Sequence, residues 1–262
     1  MTTGHVLLCA NIGNSHTAIG LLDNGAVVDH WRVATETRRT ADEWTVLLRG
    51  LLDASPVAAA PHGVALCATV PAVLHEWRAM LRGHFADVPH VVVEPGVRTG
   101  VPILMDNPRE VGADRIVNAL AAARLFAGPS IVVDFGTATT FDVVNGSGQY
   151  VGGAIAPGIE ISLDALRRHG AQLRTVELLP PRSVIAKNTV EALQSGVLYG
   201  FASQVDGIVA RMIAELGEQP GSVNVIATGG LAPLVVDQCV TVTDHQPWLT
   251  LLGLEIVFAR NT

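Results

Sequence analysis

Apolar and polar positions follow two rhythms along the chain. Short runs of Val, Ile, Leu and Ala, bounded by Gly, Asn and Asp, predict strands over residues 5–10, 17–22, 26–33, 63–68 and 90–93. Apolar residues three and four apart predict helices over 40–52 and 71–82. Thr40 and Glu43 have the spacing of a capping box, and Pro71 suits a first helical turn. Residues 95–108 are rich in Gly, Pro and polar side chains and read as a long structured connection, a common carrier of function. An apolar helix over 110–126 follows, then strands over 130–135, 139–144 and near 150. Gly152-Gly-Ala-Ile-Ala-Pro-Gly158 reads as a loop that lets a ligand approach the backbone. Helices are predicted over 159–168 and 188–216, the second capped by Asn188 or Thr189 with Glu191 in its first turn. A strand over 222–227 ends in Thr228-Gly229-Gly230, and a helix over 247–259 closes the chain.

One signature occurs twice. Residues 6–12 form an apolar strand that enters the polar turn Gly13-Asn14-Ser15-His16 and re-enters a strand at 17–22. Residues 131–135 repeat this through Gly136-Thr137 into 138–144. Such turns aim backbone N–H groups and hydroxyls at one point, which suits phosphate oxygens. Two of them, one per half, predict an α/β fold whose halves grip a polyphosphate in a cleft, the logic of an ATP-dependent phosphotransferase. The expected boundaries are 1–125 and 126–262, with Gly128-Pro129 near the hinge and the C-terminal helix able to pack back on the first half. The shared hairpin-first layout points to duplication.

Composition narrows the chemistry. The chain has 262 residues, 49% hydrophobic and only 5% aromatic, so its core is mostly aliphatic. The net charge of -7 and the absence of a basic run argue against nucleic acid or an anionic membrane as partner. The longest apolar runs are too short to span a bilayer. No positive segment of a signal peptide opens the sequence, and Cys9, Cys67 and Cys239 lack metal spacing; both fit a cytoplasmic protein with reduced thiols. The scattered histidines make no zinc-type cluster with cysteine or carboxylates.

Several segments together resemble the type III pantothenate kinases over nearly the whole chain. They are Ile12-Gly-Asn-Ser15, Arg98-Thr-Gly100, Asp106-Asn-Pro108, Glu110-Val-Gly-Ala-Asp-Arg-Ile116 with Asn118, and Asp134-Phe-Gly-Thr-Ala138. Gly152 to Gly158, Lys187-Asn-Thr189, Thr228-Gly-Gly230 and Leu249-Thr-Leu-Leu-Gly-Leu254 continue the series. The resemblance implies two RNase H-like domains of the actin-like ATPase type with ATP between them, in a homodimer. It implies phosphorylation of the primary hydroxyl of pantothenate, the first step toward coenzyme A, with Mg²⁺ and a monovalent cation such as K⁺ or NH₄⁺.

The residues bear this chemistry in their own right. Phosphoryl transfer needs positioned phosphates, charge neutralisation and a group that orients the attacking hydroxyl. Asp114, after Gly112 at a helix start, is the candidate base; N–H groups and the helix dipole there favour its ionised form, and capping is its alternative role. Arg115 offers a bidentate fork to the carboxylate of pantothenate, or else pairs with Glu110. Asp134 ends an apolar run, where a carboxylate needs a cation or N–H partners; it is the candidate metal residue, with a turn-forming role as the alternative. Thr137, Thr139 and Thr140 offer hydroxyls to phosphate, and Asp142 reads as a solvent-facing strand residue. Asn11, Gly13, Asn14 and Ser15 form the first phosphate turn, with Asn11 also at the metal. Gly229 and Gly230 resemble the pair that packs near adenosine. By resemblance, Met105, Gly112 and Thr189 line the acceptor pocket, Thr189 from across the dimer or simply as a helix cap. His16 reads as a solvated turn residue.

Three positions depart from the family pattern. Asn11 stands where the family has an aspartate that holds Mg²⁺, which removes a full charge from a site for a hard cation. Ala186 replaces a usual Gly before Lys187, and Met105 replaces a frequent aromatic residue. Two other readings therefore stay open: a kinase of the same fold acting on another small primary alcohol such as a nucleoside or a specialised-metabolite precursor, and a binding or regulatory homologue impaired at Asn11.

Overall fold

The structure is a computed structural model and describes residues 6–57, 60–169 and 176–262. In chain order it holds β1 (Leu7–Ile12), β2 (His16–Asp23), β3 (Ala26–Ala34), α1 (Ala41–Ala54), β4 (Gly63–Ala68), α2 (Pro71–His84), β5 (His90–Val92), a 3-10 turn (Pro108–Glu110) and α3 (Ala113–Leu125). It continues with β6 (Ser130–Phe135), β7 (Ala138–Val144), β8 (Tyr150–Pro157), α4 (Ile159–His169), α5 (Thr189–Leu216), β9 (Asn224–Thr228), α6 (Ala232–Val235), a second 3-10 turn (Val236–Gln238), β10 (Asp244–His245) and α7 (Leu249–Asn261).

The chain divides into two compact units. The first comprises Met1–Gly100, Asn107–Ala121 and Trp248–Thr262; the second comprises Val101–Asp106 and Ala122–Pro247. The sheet of the first unit runs β3-β2-β1-β4-β5. The β1–β2–β3 meander is antiparallel, and β4 and β5 add in parallel. The second unit's sheet, β10-β9-β6-β7-β8, is the same arrangement read from the other edge. β6, β7 and β8 form its antiparallel meander, and β9 and β10 its parallel extension. The fold is therefore α/β with two five-stranded sheets of equivalent topology, as the repeated hairpin predicts.

Each unit has its own apolar core. In the first, Leu8, Ala10 and Ile12 of β1 meet Trp44 of α1 and Trp77 of α2, whose rings lie 5.3 Å apart. Their burial follows from strands apolar on both faces, the mark of a sheet covered on both sides. α7 covers β1, β2, β4 and β5, and at Gly253 it comes so close to α3 that a Cβ would lie 2.5 Å from the Val117 carbonyl oxygen. The Thr250 hydroxyl donates to Asn118 Oδ1 at 2.7 Å in the same buried contact. In the second core, Ile131, Val133 and Phe135 of β6 pack with Val205 and Val209 of α5.

The capping box forms as predicted: Glu43 N–H donates to Thr40 Oγ1, and Thr40 N–H to Glu43 Oε2 at 2.8 Å. Asn188, rather than Thr189, caps α5 by accepting from Glu191 N–H at 2.9 Å. Residues 152–158 differ from expectation. They lie almost wholly in β8, because ladder bonds to β7 hold even a glycine-rich segment extended. The predicted helix over 110–126 starts later, at Ala113, after the 3-10 turn and Gly112.

Candidate active site

In the first unit, Asn11 is the second-last residue of β1. It pairs with Ala18 of β2 on one side and with Cys67 of β4 on the other. The Cys67 thiol donates to Asn11 Oδ1 at 3.3 Å, a contact the sequence does not disclose because the residues are far apart in the chain. The turn after β1 closes with Gly13 N–H donating to the His16 carbonyl at 3.1 Å, which leaves Asn14 and Ser15 exposed at its tip. His16 is not merely solvated, since its Nδ1 lies 2.9 Å from an Arg32 guanidinium nitrogen.

Gly112, Asp114 and Arg115 come together at the start of α3. Gly112 C=O accepts from Ile116 N–H at 3.1 Å, which places Gly112 at the helix cap. Asp114 is the second residue of the helix, and its Oδ1 accepts from Arg115 N–H at 2.9 Å. A Cβ on Gly112 would lie 2.6 Å from that same Oδ1, so the carboxylate occupies the space a side chain would take. Burial pushes the Asp114 carboxyl above its ordinary range; the Arg115 N–H and the Arg115 charge pull it down by less. Desolvation thus outweighs the donors that the helix start supplies. A carboxylate so shifted is a stronger proton acceptor, as a general base requires.

In the second unit, Asp134 is the second-last residue of β6, paired with Thr140 of β7 and Thr228 of β9. Gly229 follows β9 with φ +91, and its absent Cβ would stand 2.4 Å from Asp134 Oδ1 and 2.7 Å from Phe135 N. Only glycine tolerates both that backbone and that contact. Gly230 is exposed beside it. Thr137 C=O accepts from Gly158 N–H at 3.2 Å, which ties the second phosphate turn to the start of α4. Thr139 Oγ1 is buried without a hydrogen-bond partner, while Thr140 Oγ1 donates to Asp142 at 3.2 Å. Asp142 is fully buried and also accepts from Tyr150 Oη at 2.8 Å, which corrects the reading of a solvent-facing residue. Strand alternation misplaced it because both faces of this strand are buried here.

Met105 lies in the segment 101–106, its sulfur near Gly152 of β8. Thr189 stands exposed in the first turn of α5, and no described contact brings it to Met105. A groove of about 380 Å³ is lined by Leu163 and Leu166 of α4, Leu193 of α5, and Leu231 and Leu234, together with the charged Glu160, Asp164 and Arg167; Leu231 follows Gly230 in the chain.

The donor set bears on metal binding. Among the described residues no group of three or more His, Cys, Asp or Glu side chains converges. Asp134 offers one carboxylate and Asn11 one amide oxygen. Taken singly, each is a hard oxygen donor of the kind Mg²⁺ accepts alongside waters and phosphate oxygens.

A sequence profile of the type III pantothenate kinases matches residues 7–211. The chain belongs to the type III pantothenate kinase family. A family member from Nocardioides sp. is 69% identical over 97% of this chain and 99% of its own length. Another from Thermobifida fusca is 62% identical over 98% of this chain and 100% of its own length. Among solved structures, the inorganic polyphosphate/ATP-glucomannokinase of Arthrobacter sp. superposes with a TM-score of 0.53 at 16% identity, covering 98% of this chain and 99% of that one. A ROK family glucokinase of Streptomyces griseus gives 0.52 at 13%, covering 96% and 98%. At those identities the likeness concerns the fold alone.

Proposed function

We propose that the chain transfers the terminal phosphoryl group of ATP to the primary hydroxyl of pantothenate, giving 4'-phosphopantothenate for coenzyme A synthesis. Family membership supports the reaction, and the Gly112–Asp114 contact is the observation that carries its chemistry here. In this reading Asp114 accepts the hydroxyl proton as the oxygen attacks, and its raised basicity suits that step. Arg115 anchors the acceptor's carboxylate, with Gly112, Met105 and Thr189 shaping the pocket, Thr189 from the partner in a homodimer. Asn11, Gly13, Asn14, Ser15 and Thr137 receive the phosphates. Gly229 and Gly230 receive the adenosine, with the groove at Leu231 available to its base. Asp134 and Asn11 face the cations. Mg²⁺, when bound there, would neutralise phosphate charge, and Asp134 would hold K⁺ or NH₄⁺ as the monovalent cation. The protein acts in the cytoplasm.

A coupled ADP-release assay with pantothenate, millimolar ATP, Mg²⁺ and K⁺ tests this, with the phosphorylated product identified by mass. The expected result is turnover abolished by Asp114→Asn. No turnover by the parent chain under these conditions would overturn the proposal. A second reading, a binding homologue disabled at the metal, rests on Asn11; it requires that the parent be inactive and that Asn11→Asp restore turnover.

A further inference from the structure

Asp142 is a buried carboxylate that the proposed reaction does not use. Burying a charged group without a metal is costly, and an apolar residue of similar volume would fill the space at lower cost. Its contacts join two parts of the second unit. Its Oδ2 accepts from Thr140, which pairs in register with Asp134. Its Oδ1 accepts from Tyr150 Oη at 2.8 Å, and Tyr150 is itself fully buried.

Tyr150 in turn holds the segment that leads to Met105. Its N–H donates to the Pro102 carbonyl at 2.9 Å, and its carbonyl accepts from Leu104 N–H at 2.8 Å. Ile103 thus pairs in parallel with Tyr150, as a short addition to the edge strand β8. One residue further, Met105 Sδ lies 3.8 Å from the position of an absent Gly152 Cβ, where φ of +137 favours glycine. A register irregularity between Val143 and Val144 sets Tyr150 beside Val144, so its ring reaches back to Asp142.

We propose that Asp142 and Tyr150 are a positioning pair: the buried hydrogen bond fixes Tyr150, Tyr150 fixes residues 102–104, and these fix Met105 against the acceptor. The inference rests on the acceptor-pocket reading of Met105 given above. The pair acts through Met105 and touches neither substrate.

The test compares Tyr150→Phe, Asp142→Asn, Met105→Ala and the double variant Tyr150→Phe/Met105→Ala. Tyr150→Phe keeps the ring and removes only the hydroxyl, and it should raise KM for pantothenate on the order of tenfold while KM for ATP stays within about twofold. Asp142→Asn retains an acceptor for the Tyr150 hydroxyl and should stay near the parent value. The double variant should be no worse than Met105→Ala, because both changes break one chain of contacts. Equal changes in both KM values, or effects that multiply in the double variant, would overturn the pairing. A second readout needs no activity: the Met105 methyl resonance of ¹³C-methyl-methionine protein, assigned with Met105→Leu. It should shift in Tyr150→Phe while those of Met80 and Met212 hold still; an unmoved Met105 signal overturns the proposal. A parent chain that fails to phosphorylate pantothenate removes the acceptor reading alone, since the resonance still decides whether Tyr150 positions Met105.

Discussion

Gly112→Ala separates a catalytic from a structural role for the start of α3. The added methyl would lie 2.6 Å from Asp114 Oδ1, while ordinary carbon–oxygen contact begins near 3.4 Å, so the carboxylate must retreat by about 0.8 Å. The next nearest atom, Arg115 Cγ, is at 3.8 Å and needs no adjustment. Stability should change little. Ala is somewhat worse than Gly at a helix cap, but it restricts the unfolded chain by about 0.4–1 kcal/mol. These offset to within about 1 kcal/mol, or a Tm change of about 2–4 °C at most. Activity should change far more, because a displacement approaching 1 Å of a reacting group costs roughly 100-fold. Steady-state kinetics should show kcat down on the order of 10- to 100-fold with an intact cooperative melt. In the Asp114→Asn background the same methyl should have no further effect on rate. An unchanged kcat, or a loss of activity that merely follows unfolding, would refute the geometry on which the base assignment rests.

Three other changes read different parts of the site. Asp114→Asn should abolish turnover yet raise Tm: burial raises the folded-state pKa, so the parent loses stability as pH climbs through that value, and the gap to the variant should be widest at neutral pH and close below about pH 4, the ordinary carboxyl range. Thermal melts across pH 4 to 8 check the sign, and a parent more stable than the variant at pH 7 would contradict it. Asn11→Asp should lower the Mg²⁺ concentration for half-maximal rate by about 10-fold or more, since a full charge beside a divalent ion is worth several kcal/mol before desolvation is subtracted; a Mg²⁺ titration at fixed ATP that superposes on the parent would count against a metal-facing position. Gly229→Ala combines a left-handed backbone with a 2.4 Å clash on Asp134 and should cost about 2–4 kcal/mol, seen as a Tm drop of about 5–15 °C; a smaller drop would mean that the contact relaxes freely.

What the sequence disclosed, and what it did not, follows from the range of the interactions. Both hairpins, the capping box at Thr40 and the long helix after Asn188 rest on local pattern, and each is found where that pattern predicts it. The extension of β8 past its predicted start near 150 was hidden because glycines carry no hydrophobic period; only the ladder with β7 reveals it. The rise in the Asp114 pKa was not legible because local donors are visible in sequence and burial is not. The Cys67–Asn11 and Asp142–Tyr150 contacts depend on strand register, which fixes partners that no motif names.

The duplicated topology gives Asn11 a sharper meaning than a missing motif letter. Asn11 and Asp134 hold the same place, second-last in the central strand of their sheets. Each is flanked by a hairpin partner and by a parallel strand, which supplies Cys67 to the first and Thr228 to the second. The two units have thus kept the scaffold and differ in the residue it presents there. At Asp134 the backbone is cleared by Gly229 so that a carboxylate can stand at the strand end. At Asn11 a neutral amide meets a thiol that is itself fully buried, a setting in which an added carboxylate would be desolvated on one side. Asparagine avoids that cost and gives up electrostatic hold on a cation.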